Sequence, residues 1–141
     1  MPLLIDGDNL LGTWRGRERS LDHKRQLSFE LARYARRARR RCVTVFDGPA
    51  PASGGFGGET RFSGRGRSAD DWILDFLRAE NEPQGWCVIT SDRSLGDRCR
   101  HLRARVERSD LFRKRMHTGP DEEKPEPGTD IDYWLEQFGE E

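Results

Sequence analysis

The sequence has few apolar residues and no long apolar run. Apolar residues make up 33% of its 141 positions, and charged residues make up 35%. No window approaches the roughly 18 apolar residues of a membrane-spanning helix, and no basic segment followed by an apolar stretch opens the chain. We therefore expect neither membrane insertion nor export. A chain of this length and composition predicts one compact domain with a thin core, and it has no room for a second catalytic domain.

Cysteine is scarce as well. Cys42, Cys87 and Cys99 are odd in number and show no CxxC spacing. Two of them lie in the strand-like runs CVTVF and WCVIT. This pattern is typical of reduced, largely buried thiols rather than of a disulfide framework, and it predicts a cytoplasmic protein.

A net charge is also absent, but the charges are unevenly distributed. Residues 1–119 contain 24 Lys and Arg against 16 Asp and Glu, a balance of +8, whereas residues 120–141 contain one Lys against nine acids, a balance of −8. We predict a basic domain over residues 1–116 and an acidic C-terminal tail over residues 117–141. The arginine-rich body suits a phosphate backbone, although a solvated basic face without a ligand gives the same pattern.

The acidic tail permits two interpretations. In the first, residues 130–141 fold onto the basic body and compete with RNA. In the second, the tail docks another protein or improves solubility.

Strand-like and helix-like segments alternate along the chain. We predict strands at residues 3–5, 42–46, 60–63, 86–90 and near 106, and helices at residues 20–41, 69–80, 95–102 and 111–116. A loop is predicted after the first strand, and Ser20 and Ser68 are the predicted N-caps of the first two helices. Residues 49–58 (PAPASGGFGG) predict a mobile surface loop. Alternation of this kind predicts an α/β fold with a central, mostly parallel sheet covered by helices on both faces.

Four aspartates occupy corresponding places in this pattern. Asp6, Asp47 and Asp92 each closely follow a predicted strand, and Asp70 opens a predicted helix. Ligands of open parallel sheets bind beyond the carboxyl ends of the strands, so we expect these carboxylates to converge there. Oxygen ligands without nearby His or Cys favour Mg²⁺ or Mn²⁺. Such ions activate water against phosphodiesters, which predicts phosphodiester hydrolysis with Asp6, Asp70 and Asp92 as catalytic residues and all four as metal ligands.

Each aspartate also has a structural interpretation. In this interpretation Asp6 caps a turn, Asp92 caps the next helix, and Asp70 favours the positive end of its own helix. Asp47 forms an Asx turn before Gly and Pro. The cap at Asp92 is compatible with metal binding, because a cap uses only one oxygen.

Basic and aromatic side chains near the same edge are candidates for substrate binding. Arginines close to Asp70 and Asp92 could hold a phosphate beside the metal ions: Arg61, Arg65, Arg67 and Arg93. Trp14, Phe56 and Trp72 could stack on single-stranded bases, although Trp72 fits a core position equally well.

Two other functions remain open. The DGDN segment after the first strand also fits a haloacid-dehalogenase-like phosphatase, whose first Asp is the nucleophile and whose second is a general acid. Leu10 stands where that motif needs Thr or Val, and no lysine lies in a helix expected to begin at the sheet edge. A catalytically inactive module that binds RNA or a protein is the other alternative.

The motifs LLIDGDNLLG, VTVFDG, RFSGRGRSADDWI and CVITSD, taken together over residues 3–116, resemble the YacP-like group of NYN domains. The resemblance implies a PIN-like three-layer α/β/α fold and divalent-metal-dependent cleavage of mRNA, tRNA or rRNA. It also implies endonucleolytic action and an association with ribosomes.

Individual residues carry this resemblance. Asp6 and Asn9 match the opening motif, Asp70 matches the acid of the (S/T)-A-D segment, and Asp92 matches the TSD aspartate. Asn9 is accordingly predicted to bind substrate. Asp8 stands where the family often has Tyr, which adds a carboxylate to the segment.

Overall fold

The computed structural model describes residues 1–118, which form five strands and five α-helices. The strands are β1 (Leu3–Asp6), β2 (Cys42–Phe46), β3 (Glu59–Phe62), β4 (Cys87–Ile89) and β5 (Arg105–Glu107). The helices are α1 (Gly7–Leu11), α2 (Leu21–Ala38), α3 (Ala69–Ala79), α4 (Arg93–His101) and α5 (Ser109–Thr118), and a 3₁₀ turn spans Pro83–Gly85. The predicted boundary between residues 116 and 117 falls inside α5. The hypotheses about the acidic tail concern residues outside the described part.

The strands form one sheet in the order β3-β2-β1-β4-β5, and every pair of neighbouring strands is parallel. The central strand β1 is buried along its whole length, whereas β3 and β5 at the two edges are partly exposed. Because all strands run the same way, their carboxyl ends meet at one edge of the sheet, as the alternating pattern predicted.

Helices cover both faces of the sheet, which confirms the predicted three-layer architecture. Successive strand residues point to opposite faces, so Leu3 and Ile5 pack with α2 and α5 while Leu4 packs with α3 and α4. The first face is filled mainly by Leu27, Leu31, Tyr34, Phe112 and Met116, and the second by Ile73, Leu74, Leu77, Leu95 and Cys99. Two buried clusters therefore hold the sheet in place.

Residue contacts explain where the long helices begin. Ser20 caps α2 by accepting a hydrogen bond from the His23 backbone N–H, and Ser68 caps α3 in the same way through Asp71. Both caps were predicted from the sequence. The position of the Ser68 cap matters for the site, since it fixes the start of the helix that carries Asp70.

Two segments differ from their predictions. Residues 7–11 were expected to form a loop, but they form α1, because Leu10 and Leu11 are fully buried in the first cluster. The segment at residues 49–58 is irregular, as predicted, but it is anchored to α2: Arg25 donates to the Gly54 carbonyl, and Ser28 accepts a hydrogen bond from the Gly57 N–H. Tertiary packing decides both cases.

Candidate active site

The carboxyl edge of the sheet collects the side chains that the sequence singled out. Asp6 ends β1, Asp47 directly follows β2, and Asp92 follows β4 by three residues. Asp70 lies in the first turn of α3, next to the Ser68 cap. The structure therefore brings all four predicted metal ligands to the same edge.

Asp6 is the buried member of this group. Its residue is only 6% exposed, and its Oδ2 accepts a 2.9 Å hydrogen bond from the Thr90 hydroxyl. The pKa of Asp6 is raised to about 7, mainly by burial; the Thr90 hydrogen bond lowers it, and the negative charges of Asp70 and Asp8 raise it. A carboxylate in this state binds a proton or a cation much more readily than an exposed one does.

Thr90 connects two of the aspartates and was missed by the sequence analysis. The same Oγ1 that donates to Asp6 accepts a 3.1 Å hydrogen bond from the Asp92 backbone N–H. Thr90 itself is buried at the end of β4. Its place two residues before Asp92 in the ITSD segment was the available signal. Thr90 orients the Asp6 carboxylate and the start of the Asp92 loop together.

Asp47 reaches across to the start of α3. Its Oδ1 accepts a 2.6 Å hydrogen bond from the Ala69 backbone N–H. The residue is exposed. Asp47 thus combines a structural role with a position beside Asp70, and the predicted Asx-type turn is not its main contact.

The charges of neighbouring carboxylates act on Asp70. Burial raises the pKa of Asp70, the charges of Asp92 and Asp47 raise it further, and Arg98 works against them. A negative charge that raises the pKa of Asp70 is close enough to repel its carboxylate. The repulsion disappears when a proton or a cation lies between them, so the edge is poised to take up positive charge.

Asp92 has the double role that the sequence allowed. Its Oδ1 accepts a 3.1 Å hydrogen bond from the Leu95 backbone N–H and so caps α4. The residue is exposed, and the cap uses only one of its two carboxylate oxygens. One oxygen of Asp92 therefore remains to bind an ion or a water molecule.

These residues fit a hard divalent cation by their chemistry, though not as a finished cage. Within residues 1–118, no three Asp, Glu, His or Cys side chains are arranged closely enough to enclose an ion. Mg²⁺ commonly keeps several waters and uses only one or two carboxylates directly. An edge with one buried and three more accessible aspartates suits that mode, in which some contacts run through water.

The predicted arginines divide into two groups. Arg61 and Arg67 lie on the β3 side and form ion pairs with Glu59 and Asp75, and Arg65 is exposed nearby. Arg93 lies on the other side, at the start of α4. The two groups flank different ends of the carboxylate edge.

A cleft opens on the Arg93 side. It has a volume of about 580 Å³, and Thr90 and Asp92 form part of its wall. Arg93, Arg100 and Arg108 also line it, together with Asp97 and Asp110, which pair with Arg100 and Arg108. The sequence did not predict either Arg100, which lies on α4, or Arg108, which follows β5 and reaches the cleft because β5 pairs with β4.

The remaining predicted substrate contacts have structural partners. The Asn9 side-chain oxygen accepts hydrogen bonds from the Ser91 N–H at 2.8 Å and the Ser109 hydroxyl at 2.7 Å, tying α1 to the loop after β4 and to α5. Trp14 is half-buried, with Arg17 over its ring at 4.4 Å. Binding of substrate by Asn9 stays a prediction that rests on its amide NH₂ group.

The other two candidate stacking residues are partly used within the fold. Phe56 is half-buried against Phe62, and their ring centroids are 5.2 Å apart. Trp72 stacks on Phe76 with an interplanar angle of 10°, and both pack against the second cluster. The core interpretation of Trp72 therefore has direct support.

The three cysteines are free and buried. Burial raises the pKa of Cys42 and of Cys99 to about 12, and it raises the pKa of Cys87 as well. Thiols with such pKa values stay protonated and are poor metal ligands near neutral pH. Cys42 and Cys87 begin β2 and β4, at the edge of the sheet opposite to the aspartates.

Comparisons with known proteins agree with the observed fold. The YacP-like NYN domain family matches residues 3–126. Two crystal structures of Rae1 (YacP) from Bacillus subtilis are similar in fold: the W164L mutant, with a TM-score of 0.68 and 24% identity, and a second structure, with 0.65 and 23%. Each alignment covers 84% of this chain, and 76% and 74% of the respective Rae1 chains. No curated protein matches the sequence, and no helix within residues 1–118 is long and apolar enough to cross a bilayer. The chain belongs to the YacP-like NYN domain family, a nuclease-like family.

Proposed function

We propose that the protein is a divalent-metal-dependent ribonuclease that hydrolyses RNA phosphodiester bonds at the carboxyl edge of its sheet. The observation that carries the proposal is the gathering of four aspartates at one edge of the sheet: Asp6 ends β1, Asp47 and Asp92 follow β2 and β4, and Asp70 lies in the first turn of α3. The charges of Asp92 and Asp47 raise the pKa of Asp70, and the charge of Asp70 raises that of Asp6. Four acids that are held close together repel each other, and a cation between them removes this repulsion.

The side chains divide the work by their exposure. Asp92 is exposed and Asp70 is half-buried. Both would hold Mg²⁺ or Mn²⁺ directly or through water, and Asp47 would contribute its Oδ2. Asp6, oriented by Thr90, anchors the site from inside the sheet. A cation bound by these residues supplies an activated water and offsets charge on the leaving oxygen.

Endonucleolytic cleavage, association with ribosomes and a cytoplasmic location are also part of the proposal. Cleavage within mRNA, tRNA or rRNA and the association with ribosomes rest on the resemblance to the YacP-like NYN domains, and the cytoplasmic location rests on the reduced cysteines. An acidic tail that competes with RNA rests on the opposite charges of the two parts of the chain.

The phosphatase alternative is disfavoured by the surroundings of Asp8, its would-be general acid. Asp8 is 3% exposed, its Oδ2 accepts a hydrogen bond from the Asp47 N–H, and its Oδ1 lies 3.5 Å from Lys24 Nζ. A general acid must reach the leaving group of its substrate. Asp8 faces protein atoms instead.

Metal removal tests the proposed function. We expect the protein to cleave labelled single-stranded RNA with Mn²⁺ or Mg²⁺, to stop when EDTA is in excess, and to recover when the ion is restored. A phosphomonoester such as p-nitrophenyl phosphate serves as the comparison substrate and should give no turnover. RNA binding without cleavage at any metal concentration would favour the inactive binding module, and turnover of the monoester would favour the phosphatase.

The arginines of the cleft give a second prediction. Single-stranded RNA that enters through the cleft places phosphates beside Arg93, Arg100 and Arg108. The surface ion pairs of Arg100 and Arg108 contribute little to stability and exchange readily. The triple replacement by Ala should lower the slope of log K against log salt by about 2, since each lost phosphate contact removes about 0.7. The measurement is a salt titration of RNA binding by fluorescence anisotropy in Ca²⁺ or EDTA.

Two control variants make this comparison specific. Arg33→Ala removes an exposed arginine from α2 and should leave the slope unchanged. Arg65→Ala removes the exposed arginine on the β3 side. If Arg65→Ala changes the slope and the triple variant does not, the RNA lies on the β3 side instead of in the cleft.

A further inference from the structure

Asp8 is a buried carboxylate that the proposed chemistry does not use. It lies on α1, two residues after Asp6, and is only 3% exposed. Its Oδ1 is buried without a hydrogen-bond partner, and the nearest opposite charge is Lys24 Nζ at 3.5 Å. A buried carboxylate has a high desolvation cost, so a simple packing role would be better served by an apolar residue.

The second oxygen of Asp8 holds the segment that follows β2. Asp8 Oδ2 accepts a 2.8 Å hydrogen bond from the backbone N–H of Asp47. The next contact in the series is Asp47 Oδ1, which accepts from the Ala69 N–H at 2.6 Å. Two hydrogen bonds therefore connect α1 with the first residue of α3, one position before Asp70.

Close packing makes this connection stiff. A Cβ atom placed on Gly7 would lie 2.6 Å from the Phe46 ring and 2.9 Å from the Val45 carbonyl oxygen, so α1 sits directly on the end of β2. Lys24 reaches over the same ring, with Nζ 5.6 Å from its centroid. The start of α1, the end of β2 and the Lys24 side chain form one packed unit with little freedom to shift.

We propose that Asp8, neutralised by Lys24, is a positioning residue that sets the placement of Asp70 relative to Asp6 by holding Asp47 through its backbone N–H. The inference rests on the proposed metal site, because it assigns Asp8 to the support of that site. Asp8 holds a ligand-bearing segment and does not itself bind the ion. Residues that orient metal ligands typically change metal affinity by about 10- to 100-fold when they are removed.

The test compares two replacements of Asp8 in the full chain. Asp8→Asn keeps an oxygen that can accept from the Asp47 N–H, whereas Asp8→Ala removes it. We expect Asp8→Ala to weaken Mn²⁺ binding at least about 10-fold by isothermal titration calorimetry and Asp8→Asn to restore most of that loss. Leu102→Ala, a half-buried position packed on the second cluster, controls for lost stability and should leave Mn²⁺ affinity unchanged.

Hydrogen exchange gives a readout that needs no metal. In Asp8→Ala, the amides of Asp47 and Ala69 should exchange faster, while amides in α5 should keep their wild-type rates. Equal Mn²⁺ affinity in Asp8→Ala and wild type would overturn the inference, as would equal losses in Asp8→Ala and Leu102→Ala. If Asp8→Asn weakens Mn²⁺ binding as much as Asp8→Ala does, the hydrogen bond from the Asp47 N–H to Asp8 does not position the site.

The two levels of the proposal fail differently. If the wild type binds no Mn²⁺, the proposed function falls, and exchange at Asp47 and Ala69 still decides whether Asp8 holds this segment. If the wild type binds Mn²⁺ and the exchange rates in Asp8→Ala do not change, the positioning role falls while the metal site stands.

Discussion

Replacing either Asp6 or Asp92 by Asn should reduce Mn²⁺-dependent RNA cleavage by more than about 100-fold, the upper end of the effect seen when a residue behind a metal ligand is lost. Both substitutions keep the size of the side chain and remove one negative charge. Asp6→Asn still offers an oxygen to the Thr90 hydroxyl, and Asp92→Asn still offers one to the Leu95 N–H. The local contacts survive, so the loss reports on the cation site.

Stability separates this effect from unfolding. Burial and neighbouring charges make an ionised Asp6 unfavourable in the metal-free protein, so Asp6→Asn should raise the melting temperature at pH 8 while it removes activity. Asp22→Asn removes a charge from an exposed position on α2 and is the matched control, expected to cleave as the wild type does. Cleavage by Asp6→Asn and Asp92→Asn equal to that of the wild type would indicate a contaminating nuclease.

Mn²⁺ affinity should depend steeply on pH below about 7. The pKa of Asp6 is raised to about 7 by burial, and a bound cation requires this carboxylate to lose its proton. Affinity should therefore rise about 10-fold per pH unit up to that pH and then level off, with proton release on binding. Calorimetry in buffers of different ionisation enthalpy measures both quantities. In Asp6→Asn, Mn²⁺ affinity should depend less on pH, because the carboxyl group that releases the proton is absent.

The same shift predicts how the metal-free fold responds to pH. Because the pKa of Asp6 is near 7 in the fold against 3.8 as its ordinary value, the folded state keeps a proton that the unfolded state has already released between these values. The unfolding free energy should thus fall as pH rises through this window, by about 1.4 kcal/mol per unit for one group. The raised pKa of Asp70 acts in the same direction.

Urea unfolding at pH 5, 6 and 7 in EDTA measures this dependence. The unfolding free energy should depend less on pH in Asp6→Asn than in the wild type. Excess Mn²⁺ at pH 7 should raise the unfolding free energy of the wild type, since the cation binds only the folded state. A wild type and an Asp6→Asn variant with identical pH profiles would show that Asp6 titrates normally.

The sequence predicted those parts of the site that depend on chain direction alone. In a parallel sheet every strand ends at the same edge, so Asp6, Asp47 and Asp92 had to come to one side once the alternating pattern was recognised. The caps at Ser20 and Ser68 were equally local, because a cap needs only the residue itself and the turn that follows.

Other parts depend on contacts between distant segments. Arg108 joins Asp92 in one cleft because β5 lies beside β4, and no spacing along the chain predicts this placement. Asn9 was assigned to substrate, yet its oxygen is taken by Ser91 and Ser109, which are 82 and 100 residues away in sequence.

By itself, the sequence determined the α/β architecture, the family and the edge where the acids gather, since hydrophobic period, caps and strand direction are properties of local segments. The tertiary structure decided which acid is buried, which hydroxyl and backbone groups hold each carboxylate, and where an open cleft meets them. Burial and hydrogen bonding set these features, and both are fixed only when segments from opposite ends of the chain pack together.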